Sequence, residues 1–167
     1  HEEADEDIKR LGGVGDEELS DNVVRAVRSR FGWLLINMGT AFMSASVIGL
    51  FDESIGQMIA LAVLMPVVAS MGGNAGTQTM TVTVRALATR DLDIYNAARI
   101  IRREAGVGLF NGVVFALLIA LVAGYWFDNP QLGGVVAAAM IINMFAAAMA
   151  GILIPLLLDR AGADPAI

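Results

Sequence analysis

The sequence predicts an all-α membrane protein, a polytopic helical bundle with four spans. Three observations carry that reading. Hydrophobic residues make up 56% of the chain and charged residues 17%, against about 45–50% and about 25% in soluble domains, and the mean hydropathy is +0.65. All 11 basic residues fall within 9–30, within 85–103 or at Arg160, so none lies in 31–84 or 104–159. The intervening apolar stretches are long enough for helices that cross a hydrocarbon core of about 30 Å, which takes about 20 residues.

The first span is expected at 31–51, "FGWLLINMGTAFMSASVIGLF", after thirty mostly polar residues, a layout unlike that of a cleaved signal peptide. The second begins at Ser54 and runs to about Ala88, the third covers 104–127 and the fourth 132–158. The connectors at Asp52-Glu53 and Asp128-Asn129-Pro130 hold no Lys or Arg. The positive-inside tendency therefore places the N-terminus, the central connector and the C-terminus in the cytoplasm of a multi-pass cell-membrane protein. Trp33, Tyr95, Tyr125 and Trp126 lie near expected interfaces, as belt aromatics do.

Within "RALATRDLDIYNAARIIRRE", Leu92, Ile94, Ile100 and Ile101 interleave with Arg99, Arg102 and Arg103. That pattern is expected to form an amphipathic approach to the third span with its arginines at the phospholipid surface. Ordinary flanking charge produces the same cluster. Small residues recur at four-residue spacing, at Gly72 and Gly76, at Gly108 and Gly112, and along 146–150. Such spacing lets helix backbones approach closely and favours a compact bundle or a dimer.

The informative stretch is "MPVVASMGGNAGTQTM", 65–80, inside the second span. Pro66 has no N–H for the Ala62 carbonyl, and the Gly72-Gly73 pair eases unwinding, so an interrupted helix is expected with Pro66, Gly72, Gly73 and Gly76 at the break. Freed backbone groups at membrane depth must be buried in protein or line a watery path, and transporters use interrupted helices to hold ions. The oxygens on offer are backbone carbonyls, the amides of Asn74 and Gln78, and the hydroxyls of Ser70, Thr77, Thr79, Thr81 and Thr83, with no carboxylate between Glu53 and Asp91. Neutral oxygens suit a hard divalent cation that keeps its water shell. Two other readings fit the same residues: a structural membrane subunit that dimerises through its glycines, and a secondary transporter that binds an anionic solute at a half-helix N-terminus near Thr77.

The run "MPVVASMGGNAGTQTMTVTVRALATRDLD", together with "EEADEDIKRLGGVG" at 2–15 and "DRAGADP" at 159–165, resembles the MgtE family of magnesium transporters and channels. The resemblance covers essentially the whole chain. It implies a homodimer with five membrane helices per protomer, of which four are present, the fifth being expected to begin at about Ile167. It also implies an upstream cytosolic region with paired CBS domains, joined to the membrane by a plug helix. By resemblance, residues 1–19 are the end of that plug and its linker, and 20–167 form the transmembrane domain. Mg²⁺ is implied as both transported and regulatory ion, passing hydrated along a dimer axis lined by the second and fifth helices.

Residue by residue, Gly73, Asn74, Ala75, Thr77 and Gln78 resemble the pore-lining stretch, although Thr77 stands where some relatives carry Asn. Asp164 resembles an acidic residue at the cytosolic mouth that shares Mg²⁺ with plug carboxylates, and Glu2, Glu3, Asp5, Glu6 and Asp7 match the acidic end of the plug. On a helix, Glu2 stacks near Glu6 and Glu3 near Asp7, pairs of like charge that repel unless a cation intervenes. A divalent ion bridging them with Asp164 would act as a clamp that favours the closed state. A solvated acidic helix is the plainer reading of the same run. Ile8, Leu11 and Val14 are spaced to dock this segment, "LGGVG" reads as a helix stop, and Ser20-Asp21 as the cap of the helix entering the first span.

Other function classes find no support in the residues. The chain has no Cys, hence no thiolate metal site, and no nucleotide-binding loop, so no enzyme activity is expected and transport would be driven by the membrane potential. A net charge of −6 with the acidic residues crowded at the N-terminus speaks against nucleic acid as a partner. The expected partners are membrane lipid and a second copy of the chain.

Overall fold

The computed structural model describes residues 22–89 and 94–162, all helix and short turns. Five helices follow one another: α1 (Val23–Gly49), α2 (Asp52–Gln57), α3 (Ile59–Ala88), α4 (Ile94–Trp126) and α5 (Pro130–Arg160). All but α2 contain stretches long and apolar enough to cross a membrane. The chain divides into two compact units between Gly56 and Gln57. Glu2, Glu3, Asp5, Glu6, Asp7, Asp164 and the Ser20-Asp21 pair lie outside the described residues.

In the first unit, α1 is capped by Asn22, whose side chain accepts from the Val24 N–H at 3.5 Å. The cap therefore falls just after the expected Ser20-Asp21 pair. Inside α1 the hydroxyls of Thr40, Ser44 and Ser46 donate to the carbonyls of Asn37, Thr40 and Phe42. Each hydroxyl is thus satisfied within its own helix, which makes it cheap in an apolar setting. Ser54 belongs to α2 and not to the second span, which starts five residues later than expected, after the non-helical Met58 (φ −141°, ψ 79°).

In the second unit, α5 is the central helix, packed along both α3 and α4, which barely touch each other. Its buried residues Leu132, Val136, Met140, Met144, Ala148, Ile152 and Leu156 recur every fourth position. Because four residues overshoot one 3.6-residue turn, this stripe winds slowly around α5 and serves two neighbours in succession. Gly72 and Gly76 of α3 meet Asn143 and Ala147, whereas Gly112 and Gly108 of α4 meet Ile141 and Ala148. Helix α5 therefore runs parallel to α3 and antiparallel to α4. Arg85, Arg99, Arg102, Arg103 and Arg160 all fall toward one end of this unit, and the α4–α5 turn toward the other. That turn is closed by Asn129, whose side-chain oxygen accepts from the N–H groups of Gln131 and Leu132 at 3.1 and 3.2 Å, with Pro130 opening the helix.

The amphipathic segment from Ile94 onward is the first part of α4 itself: Ala97 is buried, and Ile100 and Ile101 pack against the cluster of Ala97, Ile152 and Leu156, while Arg99, Arg102 and Arg103 stay exposed. The amphipathic pattern reflects a helix with one face on the bundle. One expectation, the helix break, is corrected. Pro66, Gly72, Gly73 and Gly76 all lie within continuous helix, with no unwound turn between Ile59 and Ala88. Pro66 removes one backbone bond, and farther along the helix the hydroxyls of Thr77, Thr81 and Thr83 are satisfied by the carbonyls of Gly73, Thr77 and Thr79 at 2.9, 2.8 and 2.7 Å. Keeping the helix costs less than exposing several unpaired backbone groups to hydrocarbon.

Candidate functional site

Helix α3 has two polar faces with different work. One face, Gly72, Gly76, Thr79 and Thr83, is spaced to lie along a single side. Gly72 and Gly76 of that face meet α5, and Thr79 reaches Glu104 of α4. The other face, Asn74, Thr77, Gln78 and Thr81, is exposed and lines an open cavity of about 580 Å³, bordered by Asn111 and Phe115 of α4 and Met144 of α5. Six waters at roughly 30 Å³ each occupy on the order of 180 Å³, so the cavity accommodates a fully hydrated metal ion. Every polar group along it is neutral.

The direction of the hydrogen bonds sets what this cavity recognises. Thr77 and Thr81 spend their protons on the carbonyls of their own helix, which leaves the hydroxyl oxygens free only to accept. An ion-bound water donates outward, so a wall of acceptors fits the outside of a hydrated cation. The carboxamides of Asn74, Gln78 and Asn111 add further acceptor oxygens to the lining, together with N–H donors.

Two further polar residues hold α3 in place. The Asn143 amide donates to the Val68 carbonyl at 2.6 Å, and a Cβ at Gly72 would overlap that amide, so glycine is what admits Asn143 to the backbone. On the other flank Thr79 donates to the Glu104 carboxylate at 3.3 Å. Glu104 is 7% exposed, and the nearest cation, Arg103, lies 4.0 Å away with its side chain 72% exposed.

Comparison with known proteins decides the family. A profile described as "MgtE: Divalent cation transporter" matches residues 65–167. The chain belongs to the MgtE family. It is 38% identical over 166 residues to a magnesium transporter MgtE of Enterococcus faecalis, 36% over 167 residues to one of Bacillus subtilis, and 37% over 168 residues to one of Thermus thermophilus. Each comparison covers 99% of this chain and 37% of the relative. As an MgtE-family chain with four bilayer-length helices, it is a membrane protein.

Of the residues that the MgtE resemblance singled out, Asn74, Ala75, Thr77 and Gln78 line the cavity together. Gly73 is exposed on the same helix, and its carbonyl accepts from Thr77. Gly72 and Gly76 turn toward α5. Sequence reasoning passed over Asn111, Asn143 and Glu104. The signal was present for the first two, since each is a carboxamide set in an otherwise apolar stretch, "LFNGVVF" and "IINMF", and polar groups at membrane depth mark function or pairing.

Proposed function

We propose that this chain is the membrane part of a magnesium transporter in which hydrated Mg²⁺ passes along the acceptor-lined face of α3, on the axis of a homodimer. The observation that carries this reading is the neutral cavity in which Asn74, Thr77, Gln78 and Thr81 stand together, the two threonine protons already committed to their own helix. Mg²⁺ gives up its water reluctantly, so outer-shell hydrogen bonding by neutral oxygens lets the ion move without dehydration. A membrane potential of 100 mV supplies about 4.6 kcal/mol to a divalent cation. The arginines at one end of the second unit support a cytoplasmic location for that end. Three magnesium transporters of the MgtE family as relatives support the choice of ion.

The packing-subunit reading loses its main support, because Gly72 and Gly76 are occupied by α5 of the same chain. Mg²⁺ influx into dye-loaded liposomes tests the transport reading, comparing this chain with one extended by a fifth helix and with Asn74→Ala in the extended chain. Influx is expected in the extended chain and a several-fold lower rate in Asn74→Ala. Absence of influx in folded, reconstituted protein would overturn the reading.

Regulation belongs to the same proposal. Residues 1–19 form the end of a plug helix below a CBS-containing cytosolic region, 20–167 form the transmembrane domain, and Mg²⁺ bridging Glu2, Glu3, Asp5, Glu6 and Asp7 to Asp164 closes the path. Neutralising Glu2, Glu3, Glu6 and Asp164 together is expected to leave influx undiminished at high cytosolic Mg²⁺. Closure that persists in this variant counts against the clamp.

A further inference from the structure

Helix α4 contributes one polar residue to the cavity wall, and nothing in the family resemblance assigns it a role. Asn111 is half-buried and faces the space bounded by Asn74, Gln78 and Thr81 of α3. Its other cavity-lining neighbour on α4 is the apolar Phe115. A carboxamide in an apolar span is costly unless its donors and acceptors are met. Among the described residues no protein group meets that of Asn111. Water or a hydrated solute in the cavity is the partner available to it.

The position of Asn111 is also fixed in advance. Gly108, three residues before it, packs so closely on α5 that a Cβ there would stand 2.7 Å from the Ala148 Cβ, and one at Gly112 would stand 3.2 Å from the Ile141 Cα. These two contacts clamp α4 on α5 on either side of Asn111. The backbone that carries Asn111 is therefore held at a set height along the cavity.

We infer that Asn111 is a specificity-determining residue, the second-helix contact that reads the intact water shell of the passing cation. The inference rests on the hydrated-ion path proposed above and adds a wall to it. Acceptors on α3 alone would touch one side of a hydrated ion. With Asn111 opposite them, the shell is hydrogen-bonded from two helices, and an ion that holds a rigid octahedron of water satisfies both at once. Ca²⁺ binds 6–8 oxygens at longer distances and in flexible geometry, so its shell meets the two walls less well. Asn111 thus contributes to choosing Mg²⁺ over Ca²⁺ without ever touching the metal.

Two measurements on the chain extended by a fifth helix test this. Cobalt(III) hexaammine presents six ammine ligands, each with N–H donors pointing outward, on an inert octahedron and cannot shed them, so its binding, measured by calorimetry, reports outer-shell recognition alone. Asn111→Ala is expected to weaken that binding and to lower the Mg²⁺-over-Ca²⁺ influx ratio, each by about threefold to tenfold, the scale of one lost hydrogen bond. Asn111→Gln is expected to recover most of both. Asn111→Asp, which is isosteric and places a charge on the wall, should bind the hexaammine more tightly and shift influx toward Ca²⁺. Wild-type binding and influx with all three variants unchanged would overturn the role of Asn111 and leave the path standing. Wild-type protein that is folded yet neither binds the hexaammine nor passes Mg²⁺ would overturn the path itself, and Asn111 with it.

Discussion

Gly151→Ala should destabilise the protein by about 3 kcal/mol, the upper part of the usual range for overpacking a close-packed site. A Cβ at Gly151 would stand 2.6 Å from the Gly76 carbonyl oxygen, 3.0 Å from the Thr79 Cβ and 3.1 Å from the Met80 N. Two of these three neighbours are backbone atoms of α3, so no flexible side-chain end is there to yield. The helices must separate, which pulls α3 away from the Asn143 amide and from Glu104 as well. Thermal unfolding in detergent should show a melting temperature lower by roughly 6–12 °C, at about 2–4 °C per kcal/mol for a chain of this size. Gly106→Ala is the control: a Cβ there meets nothing within 4 Å, and alanine is the better helix former by about 1 kcal/mol. A Gly151→Ala protein as stable as this control would show that α3 and α5 do not depend on their close approach.

The second large effect is expected at Glu104. Its carboxylate lies between α3 and α4, helices that otherwise scarcely meet, and is bonded by the Thr79 hydroxyl at 3.3 Å. Arg103, at 4.0 Å and mostly exposed, is a weak partner because solvent screens it. Glu104→Ala removes the link and leaves a void, for which a loss of about 2–3 kcal/mol is expected by analogy with large-to-small changes at buried sites. Glu104→Gln keeps the size and an oxygen to accept from Thr79, and should recover most of that stability. Glu104→Lys buries a cation beside Arg103 and should be the worst of the three, at about 3–5 kcal/mol. Denaturant titration of the three variants checks the order. Gln as damaging as Ala would mean that the negative charge, and not the hydrogen bond, is what this position supplies.

The cavity face of α3 was legible from local sequence because Asn74, Thr77 and Gln78 are close in the chain and stand out against an apolar background. Glu104 and Asn143 were not, because their partners Thr79 and Val68 lie 25 and 75 residues away, and no local pattern announces which side chain answers which carbonyl. The expected helix break failed for a related reason. Pro66 and the glycines lower the cost of unwinding, but whether a helix unwinds depends on what packs beside it, and α5 is seated closely on Gly72 and Gly76.

By itself the sequence determined the count of spans, the crowding of arginines at one end and the place of the polar stretch. These follow from how each residue partitions between water and hydrocarbon, which needs no knowledge of neighbours. Tertiary structure alone decided that α5 is the central helix of its unit, that Gly72 and Gly76 of α3 serve packing within the chain, and that Asn111 joins Asn74 and Gln78 at one cavity. Those outcomes depend on which helix faces meet, and helix contact in a bilayer is governed by shape and hydrogen bonding between distant segments rather than by the polarity of any one of them.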